Sequence, residues 1–152
     1  MIIPYQALAD PTRYFYLIKI PGLLPHYGEE YRFKKEERKK VRDHKEFYTA
    51  FIQEALNTQA RSIFYEQAFV YILHIFPDTI PRDYDNRGRK YIFDALRANR
   101  VLHTDSWMHL QVFESGALKP GNSHTHVLIG DQKDTLEIIQ FVQQFHISTV
   151  MQ

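Results

Sequence analysis

The chain is 152 residues long, which is the size of a single domain, and hydrophobic residues make up 44% of it, enough for a packed core. A charged fraction of 24% argues against disorder, and the lack of cysteine excludes disulfides and thiolate metal sites. No apolar run approaches the roughly 18 residues needed to cross a bilayer, and the start of the chain lacks the features of a secretory signal. These properties predict one cytoplasmic domain over residues 1–152, with no membrane contact.

The first half of the chain predicts a strand followed by a long helix. Residues 14–20 are aromatic and β-branched, and Pro21 and Gly22 end this run, which is typical of a strand. Residues 36–59 are rich in Lys, Arg, Glu, Gln and Ala, and their apolar side chains recur at helical spacing. A helix with a basic first half is therefore expected.

Positive charge is concentrated at the beginning of this helix. Between Arg32 and Lys45, eight basic residues stand against three acidic ones, a local charge of +5 in a chain whose net charge is +1. Such a segment suits the phosphates of a nucleic acid, because each neutralised phosphate releases condensed counterions. A solvated helix face with paired charges is the alternative interpretation. The cations of this segment that are expected to contact DNA are Lys34, Lys35, Arg38, Lys39 and Arg42.

A second strand and a second helix are expected in the middle of the chain. Residues 68–76 are apolar on both faces, as in a central strand that is covered on both sides. His74 lies among them and is expected to be a hydrogen-bonded core residue. A helix is predicted at about residues 87–99, with Asp85 or Asn86 as its N-cap.

The remainder of the chain predicts two more strands and a last helix. The strands are expected at residues 107–114 and 123–129, and the helix at about 132–146. The order of elements predicts the α/β or α+β class, with a mixed β-sheet of about four strands and helices packed on it.

Three acidic residues flank the helix at 87–99. Asp83 and Asp85 precede it at positions i and i+2, so both side chains project to one side of an extended segment. Asp105 follows the helix, and the strand–helix–strand unit is expected to bring the two junctions to one end of the sheet. Clustered carboxylates favour a hard cation, Mg²⁺ or Mn²⁺, which also binds waters and substrate phosphate. Helix capping and turn formation are the alternative roles for these acids.

The same stretch carries the motif of a known family. It contains Asp83-Tyr84-Asp85-Asn86, Lys90, Asp94-Ala95-Leu96 and Asp105-Ser106. In these residues the chain resembles the RusA-type Holliday junction resolvases, which are endonucleases that cut four-way DNA junctions. The resemblance extends over about residues 14–129, and the helix at 132–146 has no counterpart in it.

The resemblance implies a homodimeric, Mg²⁺- or Mn²⁺-dependent endonuclease that resolves Holliday junctions or related branched DNA in recombination and repair. By matching position, it implies that Asp83, Asp85 and Asp105 bind the metal and that Lys90 is the catalytic lysine. The family has two residues between the Asn and the Lys, whereas this chain has three. Arg89 therefore also fits the catalytic basic position.

Further charged residues near the motif have expected roles. Arg82, Arg87 and Arg89 flank the acids and are expected to contact DNA phosphates, for which the planar guanidinium is well suited. Asp94 lies more than two helical turns beyond the Asp pair, so a structural role is expected for it.

Other interpretations remain open at this point. The inserted residue favours a RusA-like DNA-binding protein with weak or no catalysis, and a metal-dependent hydrolase of nucleotides is a third possibility. His124 and His126 alternate on one predicted strand and could form a zinc pair, although solvated strand histidines are the simpler interpretation.

Overall fold

A mixed sheet of five strands forms the centre of the computed structural model, which describes residues 2–4, 14–25, 35–58, 64–85 and 87–150. The strands are β1 (Ile2–Pro4), β2 (Tyr14–Pro21), β3 (Ala68–Phe76), β4 (Leu110–Leu118) and β5 (His124–Asp131). The helices are α1 (Lys35–Asn57), α2 (Arg89–Ala98) and α3 (Thr135–Val150), and a 3₁₀ turn at Gln132–Asp134 leads into α3. The predicted mixed sheet with helices packed on it is confirmed, and the short β1 is an additional strand.

The strands lie in the order β1-β2-β5-β3-β4. β5 lies between β2 and β3 and runs antiparallel to both, whereas β3 and β4 are parallel. Parallel neighbours need a crossover connection, and α2 supplies it. Consequently the junction of β3 with α2 lies at one end of the sheet, and the junction of α2 with β4 lies at the opposite end.

Helices cover both faces of the sheet, which explains why β3 is apolar throughout. Val70 and Ile72 of β3 pack in a core with α1 and α2, while Phe69 and Tyr71 pack in a second core with α3. This division follows from the alternation of strand side chains between the two faces. Within the described ranges, no helix is both long and apolar enough to cross a membrane.

α1 and α2 lie side by side on one face and run in the same direction. The His44 ring contacts Tyr91 near the start of α2, and the Asn99 amide just after α2 donates to the Thr49 carbonyl 3.1 Å away. This direction agrees with the sheet, because α1 leads from β2 to β3, α2 leads from β3 to β4, and these three strands run the same way. The first turns of α1 therefore lie toward the end of the sheet where β3 joins α2.

The start of β4 differs from the prediction. The strand begins at Leu110 instead of residue 107, because the Leu110 N–H donates to the Ser106 carbonyl at 2.9 Å and closes a turn. The alternating pattern that suggested an earlier start thus includes part of this turn.

The start of α2 also differs. The helix begins at Arg89 behind Gly88, with no side-chain cap, so the predicted capping by Asp85 is wrong, and Asn86 lies outside the described residues. The Gly88 N–H donates to the Pro25 carbonyl at 2.7 Å. A Cβ at position 88 would lie 2.5 Å from the Tyr91 ring, so the approach of the chain requires glycine.

Candidate functional site

The segment between β3 and α2, residues 77–88, carries two of the three predicted acids and is called the acid loop below. Asp83 and Asp85 are both exposed, and neither forms a hydrogen bond or ion pair with any described residue. They flank Tyr84, so the position of that residue restrains the backbone that carries both carboxylates. Two such carboxylates on a short segment suit Mg²⁺, which binds proteins through one or two carboxylates and retains several waters.

Arg82 anchors the first part of the acid loop. Its guanidinium donates to both oxygens of Asp78, at 2.6 and 2.9 Å, and to the Ile80 carbonyl at 3.0 Å. The guanidinium carbon also lies 5.4 Å from the centroid of the Phe76 ring. Hydrogen bonds from Arg82 and from the Ile80 N–H lower the pKa of Asp78. Arg82 was predicted to contact phosphate, but its donors are largely used within the loop.

Tyr84 anchors the second part of the acid loop to the sheet. Its ring stacks on His74, with centroids 5.5 Å apart and planes inclined by 24°. Its hydroxyl lies beside Gly116 of β4, where a Cβ atom would come within 2.9 Å of the oxygen. Glycine at this position therefore leaves room for the ring. Burial, followed by the charge of Glu114, raises the pKa of Tyr84.

Near Tyr84 lies a carboxylate that the sequence pattern did not single out. Glu114 of β4 accepts a hydrogen bond from His74 Nε2 at 2.7 Å and another from Arg89 Nη1 at 2.8 Å. Burial would raise the pKa of Glu114, but the hydrogen bonds and charges of His74 and Arg89 bring it below its ordinary value. The carboxylate is therefore ionised at neutral pH. The prediction that His74 is a hydrogen-bonded core residue is confirmed.

The third predicted acid lies elsewhere. Asp105 accepts a hydrogen bond from Arg97 Nη1 at 2.8 Å. Arg97 is in the last turn of α2, whereas Asp83 and Asp85 precede its first residue, and the ten residues of α2 span about 15 Å. In the described part of the chain, no three His, Asp or Glu side chains are gathered as a metal site. The structure thus places Asp83 and Asp85 on one short segment and does not bring Asp105 to them.

The parallel pairing of β3 and β4 explains this separation. The expectation that both junctions of the strand–helix–strand unit lie at one end of the sheet is wrong, because a parallel crossover places them at opposite ends. Asp105 precedes Leu110, which pairs with Ala68 at the beginning of β3, while Asp83 follows Phe76 at its end. The residues present therefore offer a metal ion two carboxylates from the acid loop.

The two candidate basic residues at the start of α2 have different neighbours. Arg89 forms an ion pair with Glu114 on β4, the carboxylate that also bonds His74. Lys90 Nζ lies 3.5 Å from the Asp94 carboxylate, which also lies 3.3 Å from Lys45 Nζ of α1. The Lys90 side chain is thus directed along α2 toward α1. Arg89 shares the Glu114 carboxylate with His74, the residue on which Tyr84 of the acid loop stacks.

Cations gather along the border of α1 and α2. Lys45, Lys90 and Arg97 all lie within 3.5 Å of the Asp94 carboxylate, and all three are about half-exposed. Asp94 therefore links the two helices and reduces repulsion among the three cations, which agrees with the structural role expected for it. Lys45 was predicted only as the last cation of the basic segment at 32–45, and Arg97 was not predicted, because their proximity depends on how the helices pack.

The basic half of α1 continues this border. Arg38, Lys39 and Arg42 are exposed, and the spacing of Arg38, Arg42 and Lys45 places them on one side of the helix. Lys45 contacts Asp94 of α2, so this side faces α2. Because the helices run in the same direction, Arg38 and Arg42 lie toward the end of the sheet that carries the acid loop. The basic surface, as the term is used below, consists of Arg38, Lys39, Arg42, Lys45, Lys90 and Arg97.

Three other predicted contact residues are not part of the basic surface. Arg87 is buried and donates to the Leu24 carbonyl at 3.2 Å, so its predicted exposure to phosphate is wrong. Burial, followed by the charge of Arg82, lowers the pKa of Arg87. Lys34 lies outside the described residues, and Lys35 begins α1 with a side chain that the structure does not describe.

The two histidines of β5 are buried, not solvated. The ring centroids of His124 and His126 are 4.6 Å apart, and the rings meet edge to face. Burial, followed by the charges of His124 and Lys19, lowers the pKa of His126 to about 4. No third metal-binding side chain joins them among the described residues.

Comparisons with known proteins do not show the family. No protein-family model matches the chain, and no curated protein matches it significantly. Membership of the RusA-type resolvases stays a prediction that rests on the motif.

Proposed function

We propose that this chain is a Mg²⁺- or Mn²⁺-dependent endonuclease that cuts branched DNA such as a four-way junction. One observation carries the proposal: the acid loop and the basic half of α1 lie toward the same end of the molecule. A metal-dependent nuclease needs carboxylates that bind the ion and cations that bind the DNA backbone. Both sets are exposed, and both lie toward the end of the sheet where β3 joins α2.

Asp83 and Asp85 are the residues that would hold the ion. Such an ion, when bound, activates water and neutralises charge that develops on the phosphate. The protein itself would hold the loop that carries the two carboxylates, through the stacking of Tyr84 on the sheet and the hydrogen bonds of Arg82 within the loop. Arg89 is half-exposed and has donors beyond the one that Glu114 accepts, so it can also donate to a phosphate oxygen.

The basic surface would bind the DNA backbone. Contacts to phosphate position a nucleic acid without reading its sequence, which suits recognition of a branched shape. In a homodimer, which the motif implies, two such surfaces would face a two-fold symmetric junction. The doubled surface would compensate for a net charge of only +1 per chain.

Cleavage of a synthetic four-way junction tests the proposal. Wild-type protein should cut with Mn²⁺ or Mg²⁺, and Asp83→Asn and Asp85→Asn should each lower the rate by about 100-fold or more, because a ligand charge is lost. Both variants should still bind the junction in Ca²⁺. Glu54→Gln, an exposed acid on the second half of α1, is the matched control and should cut normally. The proposed nuclease would be refuted if the wild-type protein binds the junction but does not cut it in the presence of any divalent ion.

Asp105→Asn separates two forms of the site. If the two acid-loop carboxylates suffice, this variant should cut within about 10-fold of the wild-type rate, because its partner Arg97 lies in the last turn of α2. A loss as large as that of Asp83→Asn would mean that Asp105 leaves Arg97 and joins the pair when DNA is bound.

A branched-DNA-binding protein without cleavage is the second candidate. The pairing of Asp105 with Arg97 favours it, because the third carboxylate that the motif implies is engaged elsewhere. This candidate predicts junction binding with the same salt dependence as the nuclease and no cleavage with any divalent ion.

A further inference from the structure

Glu114 lies next to the acid loop, between His74 and Arg89. The proposed nuclease has so far assigned it no role. Its side chain is 8% exposed, and each of its oxygens already accepts a hydrogen bond, one from His74 and one from Arg89. Both partners border the acid loop, because Tyr84 stacks on His74 and Arg89 directly follows the loop. Glu114 can therefore act on the loop through the groups that it holds.

We propose that Glu114 is a positioning residue for the acid loop. By fixing His74 on one side and Arg89 on the other, it sets the contacts that orient Asp83 and Asp85. The catalytic consequence of this inference rests on the proposed function, whereas its structural part does not.

The first of these contacts runs through His74. The hydrogen bond from Nε2 to Glu114 fixes the plane of the buried imidazole. That plane is nearly parallel to the rings of Phe76 and Tyr84, inclined by 13° and 24°. Without this bond the imidazole is oriented only by its packing against the two rings, and we expect the parallel arrangement to loosen. Tyr84 would then lose its stacking contact with His74, and the backbone that carries Asp83 and Asp85 would lose this restraint.

The second contact runs through Arg89, the first residue of α2. Its ion pair with Glu114 attaches the beginning of the helix to β4 at 2.8 Å. The acid loop ends where this helix begins, so the ion pair restrains the loop at its second end. The loop is thereby held at Tyr84 and at Arg89 through one buried carboxylate.

The position of the Tyr84 ring can be observed through Gly116, which lies two residues after Glu114 on β4. The Tyr84 hydroxyl lies so close to Gly116 that a Cβ there would be 2.9 Å away. Nuclear Overhauser effects between the Tyr84 ring protons and the Gly116 Hα protons therefore report whether the ring is seated. This readout requires neither metal nor DNA.

Glu114→Gln is the decisive variant, because it keeps the size of the side chain and leaves a single acceptor oxygen for two donors, so that the contact with His74 or the contact with Arg89 is lost. The Overhauser effects between Tyr84 and Gly116 should be weakened, while thermal unfolding remains cooperative. The Mn²⁺ concentration that half-saturates junction cleavage should rise by about 10–100-fold, as is typical when a group that orients metal ligands is removed. Junction binding without divalent ions should be unchanged, because the basic surface is intact.

Two further variants complete the design. Ser115→Ala is the control, because Ser115 lies on the opposite face of β4 and bonds Tyr71 at 2.8 Å, so both readouts should match wild type. Glu114→Asp keeps the charge but is too short to reach both donors, and it replaces the Gln variant if that protein does not fold. The same losses are expected, to a smaller extent.

The outcomes separate the two proposals. Retention of the Overhauser effects in a folded Glu114→Gln protein, with an unchanged Mn²⁺ requirement, would overturn the positioning role. A wild-type protein that cuts no junction would overturn the proposed nuclease, and the Overhauser effects of the variants would then still decide the role of Glu114.

Discussion

Acidification below pH 6.5 should destabilise this protein through His126. The residue is 4% exposed, and its pKa is lowered to about 4 by burial, by His124 and by Lys19, from 6.5 in an unfolded chain. Between these values the unfolded chain binds a proton that the folded chain does not. The free energy of unfolding is therefore greatest above pH 6.5 and decreases as the pH falls toward 4.

The size of the effect follows from the two pKa values. The difference between 6.5 and about 4, at about 1.4 kcal/mol for each tenfold change in proton affinity, amounts to about 3 kcal/mol over the whole interval. About 2 kcal/mol of this should be lost by pH 5. His124, whose pKa is also lowered by burial, acts in the same direction. Burial would raise the pKa of Glu114, but its contacts with His74 and Arg89 lower it overall, so their stabilisation is present above the ordinary value of 4.5 and is lost as the pH falls through the lowered pKa.

Urea unfolding at pH 7 and pH 5 measures the effect. With an m-value of about 2 kcal/mol/M, the midpoint should fall by about 1 M between these conditions. His126→Leu should reduce this difference to the remainder contributed by His124, whatever its midpoint at pH 7. His103→Gln, at an exposed position after α2, is the control and should behave as wild type. A wild-type midpoint that is the same at pH 7 and pH 5, or a full decrease in His126→Leu, would refute the reasoning.

Two other predictions concern the basic surface and the α3 core. In junction binding, Arg38→Gln combined with Arg42→Gln should reduce the slope of log K against log salt by about 2, because two phosphate contacts are lost. Lys133→Gln, next to α3, should leave the slope unchanged, and an equal effect of both variants would argue against the assigned surface. Gly130→Ala should lower the free energy of unfolding by about 1–3 kcal/mol, because the new Cβ would lie 2.5 Å from Ile138 Cδ1. Ile138→Val removes that atom and should restore part of the loss in the double variant, and purely additive losses would show that the clash is not the cause.

The sequence was sufficient for the elements that bury whole faces. β3 was predicted at its observed boundaries, Ala68–Phe76, because a run that is apolar on both faces and is stopped by Pro77 allows few alternatives. α1 was likewise predicted within two residues of its observed ends. The helix at the end of the chain was expected as well, although it begins at Thr135 after a 3₁₀ turn that Asp131 caps through the Lys133 N–H.

The site was harder to predict from sequence, because it depends on the relative direction of the strands and on contacts between residues that are distant in the chain. Spacing predicted that Asp83 and Asp85 project to one side of an extended segment, but the chain bends at Tyr84, where the Arg87 N–H donates to the Tyr84 carbonyl at 3.0 Å. Spacing also did not reveal that β3 and β4 are parallel, which separates Asp105 from the other two acids. His74 and Glu114 are 40 positions apart in sequence and meet only through the register of β3 and β4. The sequence signal that could have indicated this pair was a single histidine, His74, in an apolar strand and a single acid, Glu114, in another strand.

The place of β5 in the sheet bears on how the protein folds during synthesis. β5 follows the other four strands of this sheet in the chain, yet it separates β2 from β3 and hydrogen-bonds to both along most of its length. Until residue 131 has emerged, the facing edges of β2 and β3 have no mutual partner, and unpaired edges of this kind attract chaperones or other nascent chains. We therefore expect a ribosome-bound chain stopped before β5 to be sensitive to protease, and one extended past α3 to become resistant.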